Sequence, residues 1–238
     1  MRELLTLKLK VGGMSPTPPA LQSRPGMLNL YGEGAHFICY QATESTTSWA
    51  FTQRDLTAAK ETWRIFTPEE MAVMRTQLFN HFKDWASPVP ELIQSSERII
   101  KYGLYDRLQL EPEQWSSPNH GRCILIGDAA HPTSPHLGQG ANQAMEDCYH
   151  LARLMPDIKS GDKSVLTSKH LKDVFTTFAT LRKPRTAALV KRSRVQGENR
   201  VVDGGPEACA ARDERLRRVW ADDGEVLKRY DMLLKEPF

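Results

Sequence analysis

The sequence predicts a chain of the α/β class, α+β in its detail: an antiparallel sheet carrying a helix, a short strand-to-helix portion of parallel type, and carboxyl-terminal helices. Three observations carry this. Short β-like runs separated by Gly, Thr and Ser fill residues 27–66. One run, Arg122-Cys123-Ile124-Leu125-Ile126, is apolar from Cys123 onward, as a strand covered on both faces must be. Beyond it, apolar residues recur at the three- and four-residue spacing of amphipathic helices.

The elements follow in order. Leu5, Leu7, Leu9 and Val11 alternate with Thr6, Lys8 and Lys10, the period of a half-buried strand. Gly12-Gly13 and the prolines up to Pro25-Gly26 then predict a flexible connector over residues 12–26. Strands are expected at Met27–Tyr31, Ala35–Tyr40, Ser48–Phe51 and Trp63–Phe66. Thr67-Pro68-Glu69-Glu70 writes a helix start, with Thr67 as N-cap, Pro68 at N1 and Glu70 closing a capping box. Met71, Met74, Leu78, Phe79, Phe82 and Trp85 form its apolar stripe, a core face, and Pro88 and Pro90 are expected to end it. Ile99–Tyr105 is a further strand. Ala144, Cys148, Leu151, Ala152 and Met155 mark one helical face, and Leu171, Val174, Phe175, Phe178 and Leu181 another, with Pro184 placed to break that helix or start the next.

Composition bounds what such a chain can do. With 238 residues, 40% apolar and 26% charged, it is neither disordered nor fibrous. A net charge of +3 is too small to imply a polyanionic partner. The basic residues Arg182, Lys183, Arg185, Lys191, Arg192 and Arg194 read as a solvated helix face, so no nucleic-acid role is expected. No apolar run reaches the roughly 18–20 residues that span a bilayer, and the charged first residues do not form a secretory leader. Four cysteines (Cys39, Cys123, Cys148, Cys209) lack CxxC spacing; they are expected to be reduced, small core residues of a cytoplasmic protein.

One segment stands apart: Gly127-Asp128-Ala129-Ala130-His131-Pro132-Thr133-Ser134-Pro135-His136-Leu137-Gly138-Gln139-Gly140-Ala141-Asn142-Gln143-Ala144. A buried strand delivers the Asp128 carboxylate to its carboxyl end, where open α/β sheets bind ligands. A proline-braced loop and two glycines follow, and a helix starts near Ala141 with its free N–H groups and positive dipole end at the same point. That combination predicts a site for a hydroxyl-bearing ligand that carries or develops negative charge. His131 and His136 lie in a loop braced by prolines, with no carboxylate–His spacing, so no metal is expected there.

This segment resembles the second FAD fingerprint of the class A flavoprotein monooxygenases, the salicylate- and aromatic-hydroxylase-like family. Leu104-Tyr105-Asp106-Arg107 and Arg182-Lys183-Pro184-Arg185 also look like family features, and the resemblance covers roughly residues 27–200. It implies a partial FAD-binding Rossmann-like domain beside an antiparallel-sheet substrate domain. It further implies that Asp128 hydrogen-bonds the ribityl or ribose hydroxyls of FAD and that Pro135 lies against the isoalloxazine. The backbone N–H groups of Gly138, Gln139, Gly140 and Ala141 would face the pyrimidine edge, with Gly127 and Asn142 completing the cofactor-binding set. An Asp after a strand is ordinarily a cap or turn residue; eighteen consecutive fitting positions favour the flavin. Gly32-Glu33-Gly34-Ala35-His36-Phe37-Ile38-Cys39-Tyr40 is similar to the family's substrate-domain strand, where a tyrosine at the place of Tyr40 orients a substrate phenolate; a strand tyrosine packed in a core is the competing role. Gly32 and Gly34 mimic half a dinucleotide fingerprint but precede a strand, not a helix.

The family pattern also contains a strand–GxGxxG–helix unit and a middle Asp-Gly fingerprint that this chain lacks; Asp203-Gly204 lies on the wrong side of the main motif. The expected organisation is an N-terminal strand and linker over 1–26, a substrate-domain portion over 27–112, the carboxyl-terminal part of the FAD domain over 113–158, and a helical region over 159–238. The resemblance implies an FAD-dependent monooxygenase using NAD(P)H and O₂ on an aromatic or polyketide-like small molecule, in secondary metabolism, with the amino-terminal half missing. A truncated gene model, a degenerate copy and a half that pairs with another chain all fit. The alternatives are a flavin-free remnant that binds a small molecule or acts as an accessory protein, and an epoxidase using the same flavin chemistry.

Overall fold

Trp49 organises the first of two compact units. In the computed structural model, which describes residues 8–23, 26–54, 66–104, 109–118, 122–156 and 167–234, its indole lies against strand β1 (Lys8–Pro16). A methyl group built on Gly13 would fall 2.4 Å from Trp49 Cζ2. The Gly12-Gly13 pair expected in a connector is therefore a seat for an aromatic ring inside a strand. β1 pairs antiparallel with β4 (Thr46–Arg54) on one side and β5 (Arg98–Leu104) on the other, and the sheet runs β2-β3-β4-β1-β5. β2 (Met27–Tyr31) and β3 (Ala35–Gln41) match the expected spans, joined by a hairpin whose Gly34 adopts φ +66°. The expected strand at Trp63–Phe66 lies outside the described residues apart from Phe66, which packs on the core.

Period-2 alternation puts Val11, Phe37, Cys39, Trp49, Phe51 and Ile99 on one face. Two helices supply the rest of that core: α2 (Pro68–Phe82) through Leu78 and Phe82, and α3 (Val89–Gln94) through Val89, Leu92 and Ile93. The capping box forms as read, with Thr67 Oγ1 accepting from Glu70 N at 3.3 Å and Glu70 Oε2 accepting from Thr67 N at 2.9 Å. Pro88 and Pro90 do not end α2, which stops at Phe82; Pro90 lies in the first turn of α3, where its missing N–H is not needed. Ser15 ties the layers together, accepting from Trp49 Nε1 at 2.9 Å and donating to Leu92 O at 2.5 Å.

The sheet unit comprises Thr6–Tyr105 and Asn199–Arg215; the other is built mainly from Asp106–Glu198 and Leu216–Phe238. Its core gathers Trp115, Ala130, Phe178 and Ala179, with Ile124, Ile126, Leu151 and Leu154 packed against them. Residues 122–126 are not the doubly covered strand expected. They make one isolated bridge, Ser116↔Ile124, and Arg122, Cys123 and Leu125 are exposed. Among the described residues no parallel strand flanks this segment, and an apolar run without neighbours on both sides cannot be buried as a central strand.

Helix α4 (Gly140–Leu154) buries Gln143, Glu146 and Asp147, not the stripe of Ala144, Cys148 and Ala152; Cys148 and Ala152 face solvent. Helix α5 (Ser168–Arg200) runs through Pro184 without a break. A mid-helix proline costs about 3 kcal/mol. Burial of Phe178, Ala179, Arg182, Thr186, Leu189 and Val190 on both sides of it offsets that cost, while Pro184 itself faces out. Helices α6 (Gly205–Ala221) and α7 (Asp223–Leu234) follow. No described helix is long and apolar enough to cross a membrane. Of the four free thiols only Cys39 is the expected core residue, and burial pushes its pKa up to about 11; Cys123 and Cys148 are exposed and Cys209 is half-buried.

Candidate functional site

The motif folds as two short 3-10 turns that end on α4. Gly127 opens the first turn (Gly127–Ala129) with φ +55°, and a methyl group there would meet Ala144 Cβ at 3.2 Å, so both conformation and space require glycine. Its carbonyl accepts from the N–H groups of Ala130 and His131, both at 2.9 Å. Asp128 stands exposed on this turn, and a methyl group built on Gly140 would lie 3.7 Å from its Oδ1. The carboxylate therefore sits at the first residue of α4.

The second turn, Pro135–Leu137, closes with Gly138 in the left-handed region at φ +64°, its backbone open on the side a side chain would fill. Gln139 is the N-cap of α4 but gives no side-chain cap, and the first turn holds no acidic residue. The tip of a four-turn helix is thus left electropositive and open beside one carboxylate. Pro135, Gly138 and Ala141 are exposed, Gly140 and Asn142 half-buried, Gly127 and Gln139 buried. Asn142 Nδ2 donates to Gln139 Oε1 at 3.3 Å, fixing that buried amide. Ser193 on α5 holds the intervening loop, bonding Ser134 Oγ at 2.9 Å and donating to Ser134 O at 2.5 Å. The motif residues are thus brought together. Tyr40 belongs to the sheet unit, on the face away from its core, 44% exposed and lining a pocket of about 350 Å³ with Leu21, Met27 and Gln41.

Beneath the motif lies a buried ionic cluster absent from the expectations above. Arg182, 1% exposed and not on a solvated face, donates through Nε to Asp147 Oδ1 at 2.7 Å and through Nη1 to Glu146 Oε2 at 2.8 Å. Its Nη2 reaches Gln143 Oε1 at 2.8 Å. Arg185 doubly engages Glu146. Asp147 Oδ2 accepts from Gly127 N at 2.8 Å and His131 Nε2 at 2.7 Å, so His131 serves a carboxylate. The signal was present as Gln143, Glu146 and Asp147 at i, i+3 and i+4 with an arginine on the next helix, but polar residues on a helix stripe ordinarily mark solvent.

For Glu146, burial alone would raise the carboxyl, but Arg185 and Arg182 hold it below the usual range. For Asp147, burial again pushes up and is outweighed by hydrogen bonds from His131, Gly127 N–H and Arg182. Lowered native pKa values mean stability that is complete above the ordinary carboxylate value of about 4 and lost as pH falls below it. The melting temperature is expected to stay level from about pH 7 to 5 and to drop below about pH 4. A curve unchanged to about pH 3 would contradict the pairing.

The pattern defining the FAD-binding domain family matches residues 35–193, two-thirds of the sequence. The chain belongs to that family. Among the relatives of this flavoprotein family member, 3-amino-4-hydroxybenzoate 2-monooxygenase of Streptomyces cremeus is 37% identical over 136 residues, 57% of this chain and 31% of its own length. Salicylate hydroxylase of Pseudomonas putida is 30% identical over 144 residues, 60% of this chain and 31% of the relative. Klebsiella pneumoniae HpxO complexed with FAD and uric acid superposes with TM-score 0.73 at 20% identity, covering 97% of this chain and 53% of that one, a likeness of fold. The FAD-binding family member described here spans about a third of the curated relatives' length and about half of the solved chains'.

Proposed function

We propose that this chain binds FAD at the tip of α4 and serves an aromatic-hydroxylating monooxygenase reaction. The observation that carries this is the Asp128 carboxylate beside an uncapped helix start. The residues fit the cofactor: a carboxylate accepts hydrogen bonds from hydroxyl groups, as the ribityl or ribose chain requires, and α4's free N–H groups favour the negative charge of a reduced flavin. The absence of side chains at Gly138 and Gly140 leaves the backbone approachable. Asp128 would hold the sugar-like hydroxyls, Pro135 would lie against the ring, and N–H groups of Gly138, Gln139, Gly140 and Ala141 would meet its polar edge. Gly127 and Asn142 support them. The chemistry the flavin supplies when bound is oxygen insertion from O₂, with electrons from NAD(P)H.

Tyr40 is proposed to donate its phenol hydrogen bond to an oxygen of an aromatic or polyketide-like substrate; its exposed position beside a pocket supports that role over core packing. The names of the Streptomyces and Pseudomonas relatives support an aromatic substrate class. Four unpaired thiols support a cytoplasmic setting.

Titrating the purified chain with FAD is expected to give saturable quenching of flavin fluorescence. Asp128→Asn removes the charge from one or two hydroxyl bonds and is expected to weaken binding about 10- to 100-fold. A folded, colourless protein that takes up no FAD would overturn the proposal and favour a flavin-free binding protein.

A further inference from the structure

Resting on the FAD assignment just made, we infer that Asp147 is a positioning residue for the flavin loop: it faces no ligand itself and acts by holding the Asp128 carboxylate at the tip of α4. One atom does the holding. Asp147 Oδ2 accepts from the backbone N–H of Gly127 and from Nε2 of His131, the two ends of the turn that bears Asp128. The other oxygen is fixed by Arg182 Nε, and Arg182 is itself fixed by Glu146 and Gln143. Both carboxylate oxygens are thus engaged, one by Arg182 and the other by the turn.

Stability alone does not account for this arrangement. A buried ionic cluster is commonly matched or bettered by apolar residues of similar volume. Tying α5 to α4 needs only the bonds from Arg182 to Glu146 and Gln143; the two bonds from Asp147 to the turn are additional to that task. One holds the backbone N–H immediately before the exposed Asp128 and the other holds the His131 side chain three residues after it. Asp128's own direction is set by this turn, and its Oδ1 arrives beside Gly140 as a result.

Asp147→Asn tests this. With the amide oxygen taken by Arg182 Nε, the NH₂ group faces two donors, Gly127 N–H and His131 N–H, and the turn is released. FAD affinity, read by fluorescence quenching, is expected to fall about tenfold. The decisive measurement is a double-mutant cycle with Asp128→Asn. If Asp147 acts through Asp128, the double variant binds FAD within about twofold of Asp128→Asn alone, since both remove one contact. Additive losses would assign Asp147 a merely structural role and overturn the inference, as would wild-type affinity in Asp147→Asn. Should Asp147→Asn fail to fold, His131→Leu, which carries no donor, removes one of the two holding bonds and leaves the Arg182 pair. A loss of about threefold, again non-additive with Asp128→Asn, is then expected, and unchanged affinity overturns the inference. Wild-type protein that binds no FAD refutes the cofactor assignment instead, so the two failures are distinct.

Discussion

Arg182→Met is expected to cost about 3–5 kcal/mol of stability, measured as a shift in the urea midpoint and melting temperature. The substitution keeps much of the volume but leaves two carboxylates in the interior without the guanidinium that bridges them. Glu146 retains Arg185, so most of the deficit falls on Asp147, which is wholly buried and keeps only its two bonds to the 127–131 turn. Domains of ordinary stability hold about 5–15 kcal/mol, so the variant approaches the limit of folding. Arg182→Lys is expected to recover only part, because one ammonium cannot reach Asp147, Glu146 and Gln143 together. A loss below about 1 kcal/mol would mean that the cluster is solvated and contradict its burial.

Phe82→Ala should cost a similar amount, about 3–5 kcal/mol, for a different reason. Its ring is fully buried, 4.9 Å from Phe51, 5.0 Å from Trp85 and 6.5 Å from Phe37 between centroids. Truncation opens a cavity between α2 and the sheet that Phe37 and Phe51 cannot close without leaving β3 and β4. Val73→Ala on the same helix removes a side chain that is 58% exposed, and is expected to change stability by no more than about 0.5 kcal/mol. Denaturant unfolding of the pair checks the contrast; equal effects would mean that α2 does not cover the sheet as described.

The parts of this fold that were legible in the sequence are those fixed by neighbouring residues. The Thr67–Glu70 box, the β2 and β3 runs and the strand near Ile99 depend on local alternation and capping, and each formed where expected. So did the gathering of Asp128, Gly138 and Gly140, because a turn, a left-handed glycine and a helix start are all short-range events. What escaped depended on partners far along the chain. Gly13 reads as a breaker until Trp49, thirty-six residues on, is laid against it. Glu146 and Asp147 read as a wet face until Arg182 arrives from α5. Residues 122–126 read as a central strand because hydropathy records the wish for burial and not the presence of neighbours. Pro184 reads as a stop because its cost is local while the compensation from Phe178 to Val190 is tertiary.

The sheet unit is discontinuous in sequence, and this bears on how the protein is made. Arg212 Nη1 donates to Gly32 O at 2.6 Å across 180 residues, Gly34 N donates to Val202 O at 2.7 Å, and Arg54 meets Asp203 at 3.4 Å. All five strands leave the ribosome long before these partners are translated. The nascent sheet must therefore wait, its hairpin end unfinished, while nearly a hundred further residues are synthesised. Such a delay exposes edges and apolar surface to aggregation and makes nascent-chain chaperones matter for yield. Premature termination between residues 105 and 198 would leave every described strand present and the sheet unfinished.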